Sequence, residues 1–453
     1  MNAVTGAAMD SGGAPSGIGD PGVVCSPAHA QDIACAAPAP PAPLYCEGKS
    51  ALPEARAISP GQLTLMLGSM AALIPMSMDL YLPAIPTMAR NVHASAAAGQ
   101  LTLASFFLGL SVGQLFYGRS ADRFGRRPVF FAGAVLFIGA SLGCAFAPNI
   151  ETLIAFRLLQ AVGGCAATVI SRAVLFDLYD SRTAAQFLSR MLLIMGLAPI
   201  VAPLAGGWIT VVFGWRPLFL LLAGFCTLMT ASVYFLLPET RSAEGRTFSR
   251  GESVLGSYLA VLRNGPLLQV TIAGAFGSSA FFAYLSNAPQ LLIEVYKIPT
   301  EQFGYYFGAN AIGFVGFAQL NRALLGQHSP STILTRATIF ACGAALLMLI
   351  GSEIPALGKW GVIVPMFLLM SCNSFIMPNS MAIAQAYDHM RPGAVAAVSG
   401  SLTTACGALV AILSSVTFDG TAVPMTMVIL GALLVALVLR LTATPPQPLA
   451  PTG

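Results

Sequence analysis

The sequence predicts an all-α integral membrane protein whose chain crosses the bilayer as twelve transmembrane helices in two six-helix bundles. Three observations carry this. Hydrophobic residues fill 56% of the 453 positions, charged residues fill 9%, and mean hydropathy is +0.76. That leaves too little polar surface to coat a soluble domain of this length. Apolar runs of roughly 20 residues recur from Gln62 to Leu441, each able, at about 1.5 Å per residue, to cross about 30 Å of hydrocarbon. The longest polar connection, Pro238 to Gly265, carries Glu239, Arg241, Glu244, Arg246, Arg250, Glu252 and Arg263, and it divides the runs six and six.

In chain order, residues 1–57 are rich in Ala, Pro and Gly, as in CAAPAPPAPLYC, and show neither helical nor strand periodicity. They read as a disordered cytoplasmic tail. Met1 to Asp20 has neither the basic start nor the apolar core of a signal peptide. An N-terminal bundle, 58–237, follows with spans at 62–89, 96–117, 128–148, 152–175, 190–212 and 216–237. The cytoplasmic linker is 238–265. A C-terminal bundle, 266–441, has spans at 266–292, 302–323, 332–351, 359–382, 394–416 and 423–441, and 442–453 forms a C-terminal tail.

Orientation comes from the basic residues. With both termini inside, of 22 lysines and arginines only Arg90, Arg216, Lys297 and Lys359 fall on the outer side, and Arg157 lies within a span. The rest, including Lys49 and Arg56 of the tail, face the cytoplasm, as the positive-inside bias requires. The stretch GRSADRFGRRP, Gly118 to Pro128, concentrates this charge as a loop between the second and third spans.

Several function classes fall away. The net charge of +4 is spread over span ends with no basic tract, so nucleic acid is not a partner. There is no GxxxxGK[ST] for a nucleotide. The nine cysteines show no CxxC or metal-ligand spacing, and no nucleophile–base pair emerges. The chain reads as neither a metalloprotein nor an enzyme, and no cofactor is expected.

Asp79 is the one carboxylate well inside a predicted span. A continuous helix from Gln62 to Arg90 would be about 42 Å long and would leave Asp79 roughly 16 Å from its outer end. A carboxylate at such depth costs about 2.5–3.5 kcal/mol on insertion scales and usually serves function. Loss of water favours the neutral form of a carboxylic acid, so the residue is a candidate proton carrier. Arg157, in AFRLLQAVGG, is the one base well inside a span, with Gln160 on the same helix face. Direct pairing with Asp79 would hold the charge, whereas contact in one conformation alone would make protonation depend on conformation. In the fifth span, GLAPIVAPLAGGW sets Gly196, Pro199, Pro203, Gly206 and Gly207 within about three turns. Small residues permit close helix approach and the prolines free carbonyls and kink the helix. The seventh span, FGSSAFFAYLSNAPQLL, combines Phe281, Phe282 and Tyr284 with Asn287 and Gln290, an aromatic wall with a few amides suited to amphiphilic organic molecules. Asn373 and Asn379 of the tenth span and Tyr81 of the first join these as candidate substrate contacts.

Taken together, the motifs resemble the major facilitator superfamily, and within it the twelve-span drug:proton antiporters of the bicyclomycin-resistance (Bcr/CflA) type. The resemblance runs from about Gln62 to Leu441. It rests on Gly118, Asp122, Arg123, Gly125, Arg126 and Arg127 between spans two and three; on Arg157 and Gln160, with Ala161 where many members have Gly; on LAPIVAPLAGGW, with Ala202 before Pro203; and on MDLYLP, Met78 to Pro83, and SRAVLFD, Ser171 to Asp177. It implies the major facilitator fold, a cytoplasmic gate latched by Asp122 and its arginines, proton coupling through Asp79, Arg157 and Gln160, and an antiporter motif on the fifth helix. AQLNRALLG, Ala318 to Gly326, is a worn second-half copy of the charged loop.

The function expected is a monomeric proton-coupled antiporter that exports small drug-like compounds across the bacterial inner membrane by alternating access. One proton moving through 100 mV releases about 2.3 kcal/mol, enough for roughly a fifty-fold gradient. Export of an endogenous metabolite, and a receptor or scaffold that keeps the fold without transport, stay open as alternatives.

Overall fold

The structure, a computed structural model, describes residues 59–179, 181–240, 254–388 and 391–443. The tail expected at 1–57, residues 241–253 of the linker and all but the start of the C-terminal tail lie outside the described residues.

Twelve helices follow the twelve predicted spans. They are α1 Pro60–Asp79, α2 Ala96–Phe124, α3 Arg126–Ala145, α4 Ile150–Leu178, α5 Ser181–Phe213, α6 Arg216–Leu236, α7 Gly265–Pro289, α8 Phe303–Leu324, α9 Pro330–Glu353, α10 Trp360–Tyr387, α11 Pro392–Val416 and α12 Val423–Leu441. Among the described residues, ten segments are long and apolar enough to cross a membrane. The other two are α5, whose stretch Ala198–Phe213 is apolar, and α8, whose Asn310, Gln319, Asn321 and Arg322 dilute its 22 residues.

Side chains at the helix starts fix where several begin. Ser59 and Gln62 form a reciprocal capping box at α1, and Ser95, Asn149, Asn264 and Ser329 accept amide hydrogen bonds at α2, α4, α7 and α9. Each satisfies a backbone donor that would otherwise enter the membrane unpaired.

The packing repeats with an offset of six. In the first half α1 packs on α4, α5 and α6, α2 on α4, and α3 on α4 and α6; in the second, α7 packs on α10, α11 and α12, α8 on α10, and α9 on α10 and α12. The halves meet chiefly where α2 lies on α11 and α5 on α8, two pairs that exchange under the same offset. The duplication is therefore plain in three dimensions although the sequence halves have diverged. Polarity is inverted relative to a soluble protein. Val135, Leu228, Phe235 and Val416 are exposed on the perimeter, while Gln100, Arg157, Gln160, Asn287 and Gln290 are buried, as hydrocarbon outside and a polar interior require.

Two expectations need correction. The first span is not one helix: α1 stops at Asp79, a 3-10 turn covers Leu82–Ala84, and a short helix, Ile85–Asn91, completes the crossing. Pro83 has no N–H for the Asp79 carbonyl and Pro86 none for Leu82, so the ladder fails there. The stretch Gly118 to Pro128 is not a loop. α2 runs through Phe124, α3 starts at Arg126, and Gly125 alone, at φ 101°, makes the turn, because charged residues beyond the hydrocarbon still form helix. Within the linker, Val254–Arg263 is helical and the Tyr258 hydroxyl donates to the Leu115 carbonyl of α2.

Candidate functional site

Asp79 ends α1 and is buried, with no hydrogen bond or ion pair among the described residues. Two residues earlier in α1, the Ser77 carbonyl belongs to an arrangement built around Arg157. That side chain is fully buried on α4, its guanidinium carbon 4.2 Å from the Phe106 ring centroid, 4.7 Å from Tyr81 and 5.8 Å from Phe219. Its Nη1 donates to the Ser77 carbonyl at 3.2 Å and to Gln160 Oε1 at 2.6 Å, and Gln160 Nε2 passes the chain to Ser141 Oγ at 2.7 Å. Nε and Nη2 have no partner among the described residues. The structure thus brings Arg157, Gln160 and Tyr81 together and ties them to backbone two residues before Asp79, but it forms no Asp79–Arg157 ion pair.

Tyr81 is fully buried, its hydroxyl 2.9 Å from Thr102 Oγ1, its ring in contact with both Arg157 and Phe219. It walls the arginine box and faces no open space. Phe106, Phe219, Thr102, Ser141 and Ser77 belong to this arrangement and were invisible to motif reading, since a ring or a hydroxyl in an apolar run carries no positional signal until helices are packed.

On α7, the Asn287 amide donates to Ala283 O and to Ser414 Oγ at 2.9 Å, leaving Oδ1 without a partner. Ser286 Oγ, Gln290 Oε1 and Asn373 Oδ1 are likewise buried and unpaired among the described residues. Buried polar atoms are nearly always hydrogen-bonded, so this set has binding capacity to spare. Gln100 of α2, which sequence reading passed over, is fully buried with both amide atoms unpaired. The Tyr284 hydroxyl accepts from Asn310 Nδ2 at 2.7 Å and its ring stacks on Phe307. A cavity of about 20 Å³ lies against Tyr284 and Asn310, room for about one water. Phe282 packs edge-on against Phe107 of α2 and Phe281 against Phe282, so Phe282 fills a helix seam. Asn379 donates to Asn321 at 2.8 Å.

After Pro289 the helix widens to a π turn, Gln290–Val295, a local form frequent at functional positions. There the Gln290 amide donates to Glu294, which pairs at 3.0 Å with Arg90 of the first half. This bridge joins the two halves at the end of the bundle opposite Asp122.

The helix α5 is continuous through Pro199 and Pro203. Gly196 lies in its length. A Cβ on Gly206 would collide with the Leu80 carbonyl at the break in α1, and one on Gly207 would stand 2.7 Å from the Thr300 carbonyl between α7 and α8. Adjacent glycines therefore let one helix touch both the Asp79 break and the other half.

At the far end, Arg126 Nη1 is 2.8 Å from Asp122 Oδ1, and its Nε and Nη2 reach Asp177 at 2.9 and 3.3 Å. The amides of Arg126 and Arg127 donate to the two Glu239 oxygens at 2.9 and 3.1 Å, capping α3. Arg127 Nη2 donates to Tyr234 O, Arg123 lies over Phe124, and a Cβ on Gly118 would meet open space. Among the described residues, the bonds of Asp122, Arg126 and Arg127 reach the first half and the start of the linker, and none reaches the second half. Glu239 as a helix cap escaped sequence reading because it lies 113 residues from Arg126.

A polytopic helical bundle of two matched halves, with a buried ionisable core and no metal cluster among the described residues, defines a membrane transporter of the duplicated kind. A family model described as Major Facilitator Superfamily matches residues 67–415, and the chain belongs to that family. It is 30% identical over 364 residues to a bicyclomycin resistance protein homolog of Haemophilus influenzae, covering 80% of this chain and 90% of that protein. It is also 30% identical over 342 residues to a chloramphenicol resistance protein of Pseudomonas aeruginosa, covering 74% and 79%. The crystal structure of a D-xylose-proton symporter superposes with a TM-score of 0.66 at 14% identity, covering 85% of this chain and 98% of the other, a likeness of fold. Family membership makes this chain a multi-pass transporter of small substrates.

Proposed function

We propose that this chain exports small drug-like compounds across the bacterial inner membrane in exchange for protons, by alternating access, with the Asp122 end in the cytoplasm. The observation that carries the reading is the isolation of Asp79, a buried carboxyl at a helix break with no hydrogen bond or ion pair among the described residues. An anion held there is costly without a partner, so a proton or a cationic substrate offsets it. Arg157 is a fixed charge whose partners among the described residues are a carbonyl, an amide oxygen and rings. With Asp79 ionised the two charges cancel over the core. With Asp79 protonated the core is net positive and repels a lipophilic cation. For a cationic cargo, proton and substrate then exclude one another, which meets the requirement for exchange; a neutral cargo must compete with the proton through conformation rather than charge.

The relatives named for bicyclomycin and chloramphenicol resistance support the substrate class, and the bias of basic residues toward the Asp122 end supports the orientation. In the outward half of the cycle the Arg90–Glu294 bridge and the Gly207–Thr300 contact must open.

The test is transport by the purified chain in proteoliposomes, screened against a panel that includes bicyclomycin and chloramphenicol. Vesicles acidic inside are expected to accumulate at least one compound several-fold above equilibrium and to lose it when a protonophore is added. Accumulation indifferent to the pH gradient for every transported compound would contradict proton coupling.

A further inference from the structure

A second site lies away from the transport core. A cavity of about 300 Å³ opens between α8, α9 and α10 at the Asp122 end of the bundle, walled by Phe317, Ala337, Phe340 and Phe375, with His328 and Arg336 at its rim. That volume is at the small end of ligand pockets. Phe340 is exposed and shares the outer face of α9 with Leu347 and Ile350, so the cavity opens toward the bilayer. Arg336 stands one turn before Phe340 on that face, where the apolar stripe ends.

The charge at this end is unbalanced, and the two halves differ in it. In the first half Arg126 is answered by Asp122 and Asp177, and Glu239 caps α3. In the second, the stretch Ala318 to Arg336 contains Arg322, His328 and Arg336 and no Asp or Glu. Among the described residues neither Arg322 nor Arg336 makes an ion pair, and the buried Nδ1 of His328 has no partner. Arg440, beside them on α12, bonds to Thr335 Oγ1 and to the carbonyl and hydroxyl of Ser331, all neutral. Basic pockets between membrane helices on the cytoplasmic side match anionic lipid headgroups.

We propose that this groove binds an anionic phospholipid, an acyl chain in the aromatic-walled cavity and the phosphate on Arg336 with His328 beside it. Asp388, just after α10, pairs with Arg391, so the membrane supplies the anion that the stretch Ala318 to Arg336 itself lacks.

The purified full-length chain, reconstituted with defined lipid mixtures, is tested by native mass spectrometry. Phosphatidylglycerol is expected to be retained about tenfold over phosphatidylcholine of the same acyl chains, a preference equivalent to about 1.4 kcal/mol. Arg336→Gln, an exposed position where folding is undisturbed, should abolish most of that preference. Ala337→Phe, which fills the cavity, should reduce retention of both lipids, and Arg216→Gln at the opposite end should change neither. Equal retention of the two lipids by the unsubstituted chain, an unchanged preference in Arg336→Gln, or displacement of the lipid by millimolar inorganic phosphate would overturn the assignment.

Discussion

Arg157 has two jobs that a lysine divides. Its plane stacks among Phe106, Tyr81 and Phe219 while Nη1 bridges the Ser77 carbonyl and Gln160. Arg157→Lys keeps the charge and enough donors for both acceptors but gives up the planar stack. The variant is expected to fold, to lose about 1–2 kcal/mol of stability from the ring contacts, and to transport at no more than a tenth of the normal rate. Thermal unfolding and proteoliposome flux measured together check this; full-rate transport would show that the box is mere packing. At this scale Asp79, Arg157 and Gln160 were legible in the sequence because charge and amide inside an apolar run are conspicuous. Tyr81 was legible as a residue of interest but not in its place, since its ring serves Arg157. Glu294, Arg90 and Gln100 were passed over, since each looks ordinary until helices distant in sequence are packed.

Elements were legible to the extent that hydropathy reports them. Twelve runs became twelve helices, but hydropathy does not detect a helix that continues into water, which is why α2 outlasts its apolar stretch to Phe124, nor a helix that breaks inside oil, which is why α1 yields at Pro83. The break matters because α5 packs on it. Gly206→Ala would drive a methyl into the Leu80 carbonyl, and Gly207→Ala would press on Thr300 across the seam between halves. Overpacking of this kind costs about 1–3 kcal/mol. The first substitution should depress both stability and transport. The second should favour opening at the Arg90 end, read as several-fold faster maleimide labelling of a cysteine placed at Thr300. Equal labelling with and without Gly207→Ala would remove α5 from the gating account.

At the scale of the whole molecule, the offset-of-six packing makes each half a near copy of the other, and the halves touch along two interfaces, α2 with α11 and α5 with α8. Such a body can rock. The division into halves was legible from the long polar connection, whereas the bridging contacts were not, because a bond such as Ser111 to Ser401 joins residues 290 apart that carry no shared pattern. What couples rocking to a gradient is the charge on one carboxyl, and its removal is the direct test. In proteoliposomes with an imposed pH gradient, Asp79→Asn, fixed in the neutral state, should bind a cationic substrate more weakly and only equilibrate a transported compound down its own gradient, while gradient-driven accumulation falls to background. Accumulation by Asp79→Asn at the unsubstituted level would contradict the account.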